Sequence, residues 1–297
     1  MDLVVESGTV TGIVGESGSG KTTLGLAVLG LLGRGRWVAA GEIRFAGGLI
    51  VAPGADQTAP LRGRRIGYVP QDPFRAFDPL RRVGPQIRRP LERHLGLPAV
   101  SADARAEELL ARLGVPEPER VMRAYPHELS GGMLQRATIA AALGPGPELV
   151  IADEPTTALD ALVQVQVIEA FLRVVRELGT AVLVITHDLG LLRRAADRAA
   201  AMYAGRIVEF GDRAAVLERP RHPYAAALRA ASVLRAEPGG RVPTIEGQPP
   251  TLPGVFLPCA FAPRCPRATD VCREIEPRYA WPADEGVACH HPLGDEA

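Results

Sequence analysis

The chain has 297 residues, 46% hydrophobic and 23% charged, which is the composition of a soluble globular protein with room for more than one domain. Its 34 basic and 34 acidic residues cancel, so nothing points to a nucleic-acid partner. No apolar run reaches the roughly 18 residues of a membrane span, and Met1–Glu6 lacks the basic start of a secretory signal, so a cytoplasmic protein is expected.

Taken in chain order, Thr11–Val14 predicts a buried strand that runs into Gly15-Glu16-Ser17-Gly18-Ser19-Gly20-Lys21-Thr22, followed by a helix over Lys21–Leu32. Strands are expected at Glu42–Phe45, Ile66–Val69, Leu149–Ala152, Ala181–Ile185, Ala199–Met202 and Ile207–Phe210. Helices are expected at Ala102–Leu113, Gly132–Leu143, Leu162–Glu177 and Leu189–Ala195, with the stretch from Pro79 to Leu143 read as a helical insertion in an α/β core. Arginine clusters at Arg62, Arg64 and Arg65, and from Arg81 to Arg93, read as solvated faces. Beyond Ser232 repeated prolines and glycines predict an irregular tail.

Lys21 is the only lysine among the 34 basic residues. It stands in the phosphate-binding pattern of spaced glycines followed by Lys-Thr, between a strand and a helix, which is the context that pattern requires. Arginine's planar fork is poorly suited to a small ring of backbone amides, whereas an ammonium is a compact point charge. In this reading the N–H groups from Ser17 to Thr22, with Thr23 at the helix start, surround phosphate oxygens, Lys21 neutralises them, and the Thr22 hydroxyl ligates Mg²⁺. Asp153 and Glu154 end an apolar strand at its C-terminal edge. Asp153 suits the Mg²⁺ shell and Glu154 suits a base that polarises water.

Further motifs follow in order, and together they resemble the ATP-binding-cassette (ABC) ATPases. Leu129-Ser130-Gly131-Gly132-Met133-Leu134-Gln135-Arg136 is similar to the signature of that family, with Leu134 at a variable position. Gln71 corresponds to the Q-loop, Ala158-Leu159-Asp160 to the D-loop and His187 to the switch histidine. The resemblance implies a P-loop NTPase core over residues 1–71 and 147–231, a helical signature subdomain over 72–146 and a C-terminal extension over 232–297. It implies ATP and Mg²⁺ as cofactors, with Gln71 as a further Mg²⁺ ligand and sensor of the γ-phosphate. Glu154, His187 and Lys21 are then the catalytic residues. Ser130, Gly131, Gly132 and Gln135 would contact the nucleotide of a second ABC subunit in a head-to-tail dimer.

Three further segments, Ala124–Met133, Met202–Glu209 and Arg221–Tyr224, resemble importer ATPases for oligopeptides, dipeptides and nickel. The implied partners are a second ATPase subunit, two membrane permeases and an extracytoplasmic substrate-binding protein, and the implied place is the cytoplasmic face of the inner or plasma membrane. A nickel or other small-solute importer, or a soluble non-transport ABC ATPase, are the alternative readings. The tail carries Cys259, Cys265, Cys272 and Cys289 with the spacing C-x5-C-x6-C-x16-C. Relatives with such a tail can hold a [4Fe–4S] cluster. Zinc, with His290 or His291 in place of a thiolate, and four reduced thiols packing a small lobe are the other options. The family's usual first strand, whose loop offers an aromatic ring to adenine, has no counterpart here, because Met1–Val5 reads as the strand before the phosphate loop.

Overall fold

The computed structural model describes residues 1–156, 159–232, 244–250, 258–278 and 285–294. The strands are β1 (Val10–Val14), β2 (Ile43–Phe45), β3 (Gly48–Ala52), β4 (Ala55–Asp56), β5 (Ile66–Val69), β6 (Leu149–Asp153), β7 (Ala181–Thr186), β8 (Arg198–Tyr203), β9 (Arg206–Asp212) and β10 (Gly286–Val287). The helices are α1 (Lys21–Val28), α2 (Val83–Leu95), α3 (Ala99–Arg112), α4 (Pro118–Arg123), α5 (Gly131–Leu143), α6 (Ala161–Leu178), α7 (Leu189–Ala195), α8 (Arg213–Leu217), α9 (Pro223–Ser232) and α10 (Val271–Glu274). Two compact units form, one from Met1–Val5, Val10–Lys21 and Ile185–Ala297, the other from Glu6–Thr9 and Thr22–Val184.

In the first unit the strand order is β10-β9-β8-β1. β1 runs parallel to β8, with Thr11 opposite Arg198 and Val14 opposite Ala201, whereas β9 and β10 add as antiparallel strands. Every residue of β1 is buried, as expected of a parallel strand covered on both faces. Gly12 lets α7 sit against it, because a Cβ there would lie 2.5 Å from the Leu192 side chain. The backbone of Asp197 and its carboxylate clamp the start of β1 at Val10, each at 2.8 Å. Residues Met1–Glu6 take no regular structure, so the strand expected there is absent and β1 alone leads into the glycine loop.

In the second unit β6 lies between β5 and β7. β5 pairs with it in parallel, Ile66 opposite Leu149 and Val69 opposite Ala152. A separate antiparallel sheet has the order β2-β3-β4. The α2–α5 stretch is helical, as the pattern from Pro79 predicts, but α2 was not foreseen. Its sequence carries Gly84, Pro85 and an internal Pro90, yet Val83, Ile87 and Leu91 recur every four residues and are buried. Gly84 is a packing requirement, since a Cβ would meet the Met122 carbonyl oxygen at 2.4 Å.

Two expectations are corrected. α1 ends at Val28 rather than Leu32, because Gly30 turns to φ 63°. The freed carbonyl of Leu29 accepts from the Thr58 hydroxyl at 3.1 Å and from Arg62 at 3.0 Å. Arg62 is therefore a helix cap rather than a solvated charge. Arg65 likewise pairs with Glu148 and lies 4.7 Å from the centre of the Phe45 ring.

Candidate functional site

The phosphate loop belongs to the first unit. Gly18 and Gly20 take φ 81° and 101°, conformations that favour glycine. A Cβ on Gly15 would lie 2.2 Å from the Met202 carbonyl oxygen, so the loop passes against β8 at a distance only glycine permits. Lys21, 5% exposed, donates to the carbonyls of Gly15 at 2.8 Å and Glu16 at 3.0 Å. The loop thus curls round its own ammonium, and Ser17, Gly18 and Thr23 remain exposed. Gly205 N–H donates to the Ser19 carbonyl at 2.8 Å and ties the loop to the β8–β9 turn. In the same unit His187 is exposed just after β7, followed by Asp188, whose carboxylate caps α7 by accepting from Gly190 and Leu191.

The second unit brings four of the expected residues together. The Thr22 hydroxyl donates to Asp153 at 3.1 Å, and the Gln71 amide donates to the Glu154 carboxylate at 3.0 Å. Glu154 follows directly on β6 and takes φ 46°, a left-handed conformation that costs a non-glycine residue about 1 kcal/mol or more and is held where the surroundings over-determine it. Tyr68 on β5 is a member of this group that sequence reasoning missed. Burial, and then the Asp153 carboxylate beside it, push its phenol up to about 12.

The signature segment opens α5. The Ser130 side chain is its N-cap and accepts from Met133 N–H at 3.3 Å, with Gly131 and Gly132 in the first turn. Gly132 has a packing reason of its own, because a Cβ there would lie 2.6 Å from a methyl group of Val163 on α6. Gln135 is 1% exposed, and its amide nitrogen finds no hydrogen-bond partner among the described residues. Of the D-loop, Ala158 lies outside the described residues, while Asp160 caps α6 by accepting from Val163 N–H at 3.1 Å. Gln164, not singled out from the sequence, braces this segment by donating to the carbonyls of Thr156 and Leu159, each at 2.9 Å.

The four cysteines, distant in sequence, line one cavity together with His222, Phe261, Ala262, His290 and His291. Burial pushes the thiols of Cys259, Cys265 and Cys289 up from the ordinary value. No three His, Cys, Asp or Glu side chains among the described residues come close enough to hold a single metal ion. His290 and His291 are already engaged, with the Ile275 carbonyl at 2.9 Å and the Thr269 hydroxyl at 2.7 Å.

A lysine-bearing glycine loop in the first unit, and an acidic strand end and a glycine-opened helix in the second, are the features of a nucleotide-hydrolysing cassette. Residues 1–157 match the family described as ABC transporter, and the chain belongs to that family of ATP-hydrolysing proteins. Residues 208–272 match a second family, described as oligopeptide/dipeptide transporter, C-terminal region. The chain is similar to the dipeptide transport ATP-binding protein DppD of Escherichia coli K12, 41% identical over 295 residues that cover 98% of this chain and 89% of that protein. It is 38% identical over 293 residues to the oligopeptide transport ATP-binding protein OppD of Salmonella typhimurium, covering 99% of this chain and 87% of that protein. Among solved structures it resembles the dimeric ATP-binding cassette MJ0796 bound to ADP and Pi, at 28% identity and a TM-score of 0.60 over 71% of this chain and 88% of that one.

Proposed function

We propose that this chain is the ATP-hydrolysing subunit of an ABC importer for di- or oligopeptides, acting at the cytoplasmic face of the membrane. The observation that carries the chemistry is the pairing of Thr22 with Asp153 and of Gln71 with Glu154 at the end of β6. The first pair would offer a hydroxyl and a carboxylate to Mg²⁺, and Gln71, bonded to Glu154, would be a further ligand. Bound there, the metal would neutralise charge on the transferring phosphoryl group. Lys21 exchanges its loop carbonyls for phosphate oxygens, Glu154 accepts a proton from the attacking water, and His187 orients that water. Ser130, Gly131 and Gly132 present a hydroxyl and helix-opening amides to the nucleotide of a second ATPase subunit, with Gln135 supporting that turn from inside. Residues 1–71 and 147–231 act as the ATP-binding core, 72–146 as the subdomain that passes its motion to two permeases, and 232–297 as the peptide-transporter extension. An extracytoplasmic binding protein delivers the substrate.

No helix among the described residues is long and apolar enough to cross a membrane, which fits a subunit that docks onto separate permeases. The peptide assignment draws on the matched C-terminal region and on the named relatives. For the cysteine cavity we favour a [4Fe–4S] cluster, held by Cys259, Cys265, Cys272 and Cys289. That reading draws on the four cysteines lining one cavity, since four thiolates are the ligand count such a cluster needs.

The test of the mechanism is Glu154→Gln in the assembled transporter. ATP hydrolysis should fall about 10³-fold while ATP binding is kept. Retained turnover would remove Glu154 as the base. Peptide-stimulated hydrolysis after reconstitution with the permeases tests the substrate class, and anaerobic purification with iron and sulfide analysis tests the cluster.

A further inference from the structure

The C-terminal extension reaches the phosphate loop through one side chain. Arg264 ends the short turn Ala262–Arg264, between Cys259 and Cys265, and its side chain is 4% exposed. All five of its N–H donors are accounted for. Nε donates to the Glu246 carbonyl at 2.8 Å. Nη1 donates to Glu16 Oε2 at 2.7 Å and to the Tyr203 hydroxyl at 3.2 Å. Nη2 donates to Glu16 Oε1 at 3.1 Å and to the Ile245 carbonyl at 3.1 Å. A lysine has three donors and no fork, so only arginine fits this socket.

Helix α9, against which the extension packs through Phe261, holds Glu16 a second time. Tyr224 accepts the Glu16 backbone N–H at 2.8 Å, and Phe261 packs edge-on against Tyr203 and Tyr224, with ring centres 5.3 and 5.4 Å apart. Glu16 is the second residue of a loop read as a cradle for a polyphosphate. Its backbone carbonyl is also one of the two that receive Lys21. An unneutralised carboxylate there would repel the phosphates, and a shifted Glu16 backbone would displace the ammonium.

We propose that Arg264 is a positioning residue of the nucleotide site: from the cysteine-bearing extension it cancels the charge of Glu16 and fixes the phosphate loop. The C-terminal extension then acts on nucleotide affinity within its own chain. This rests on the ATP-site reading of the loop, so the experiment separates the two.

MgATP affinity, read with a fluorescent ATP analogue, and steady-state hydrolysis are measured on the full-length chain. The variants are Arg264→Ala, Arg264→Lys, Arg264→Ala with Glu16→Gln, and Lys21→Ala. Arg264→Ala should weaken MgATP binding about tenfold, as one uncancelled charge near the phosphates would, with the loss carried by KM rather than kcat. Arg264→Lys, which keeps the charge and loses the fork, should fall between parent and Arg264→Ala. Adding Glu16→Gln should recover most of the affinity, a rescue that mere unfolding of the extension would not allow. Unchanged affinity in Arg264→Ala, or a double variant no better than the single, overturns the proposal. If Arg264→Ala does not fold, Arg264→Lys decides alone: a weakening of about threefold supports the proposal and parental affinity sinks it. Lys21→Ala with parental affinity would instead overturn the ATP-site reading itself.

Discussion

The phosphate loop and the cysteine lobe lie in the same compact unit and are built in opposite ways. The loop holds its own ammonium locally, since Lys21 bonds to carbonyls five and six residues back. The lobe is assembled from segments that meet over long separations, such as Arg264 with Glu16, 248 residues apart. A local device can be written into a short motif. A device closed over most of the chain leaves no short pattern, and its residues look ordinary until the fold joins them.

Three substitutions probe that contrast, in order of expected effect. Lys21→Ala should weaken MgATP binding about 10³-fold, because the ammonium is expected to reach two phosphates and charge-assisted hydrogen bonds contribute roughly 2 kcal/mol each. Thermal stability and iron content should stay near the parent, and a collapse of the lobe in this variant would break the separation drawn above.

The next effect concerns Glu209 on β9, where the lobe's β10 adds to the sheet. Burial pushes its carboxyl up to about 7 from an ordinary 4.5, against the opposing N–H donors of Arg221 and His222. A folded-state value above the unfolded one means that the contribution is fully present below about pH 4.5 and is lost as pH rises through about 7. The loss amounts to as much as about 3 kcal/mol at 1.36 kcal/mol per unit. Urea midpoints measured from pH 5 to 8 should fall with pH in the parent and be flatter in Glu209→Gln. Equal slopes would show that the carboxylate titrates normally.

The smallest effect is expected from Cys272→Ser, at the one cysteine that is fully buried. It should cost about 1–2 kcal/mol of stability by placing a hydroxyl where the thiol packed, and lower the iron content if the cavity holds a cluster. Parental iron content would remove Cys272 as a ligand, and a parental melting temperature would remove its part in the packing.

How much could be read beforehand follows the same division. The apolar runs of β5, β6 and β7 and the cap-to-cap pattern of α5 and α6 appear in the sequence within a residue or two, because burial on both faces and helix capping are local signals. β3 was missed because its hairpin turn puts Ala46 at φ 48° beside Gly47 at φ 79°, and alanine is not a residue that advertises a left-handed turn. α2 was missed because glycine and proline mask its four-residue spacing. Among the candidate site residues, Lys21, Thr22, Asp153 and Glu154 stood out from glycine spacing and an acidic strand end, and the structure brings Thr22 and Asp153 together. Tyr68, Gln164 and Arg264 did not stand out, since each works through a partner far along the chain or through the main chain.

The solitary lysine also makes this protein unusually easy to interrogate. A lysine-specific protease has one peptide bond to cut, after Lys21, at the step from the first compact unit into the second. With the side chain 5% exposed, the native loop shields that bond. The appearance of two fragments therefore clocks how often the loop opens, and any ligand that closes it slows the clock.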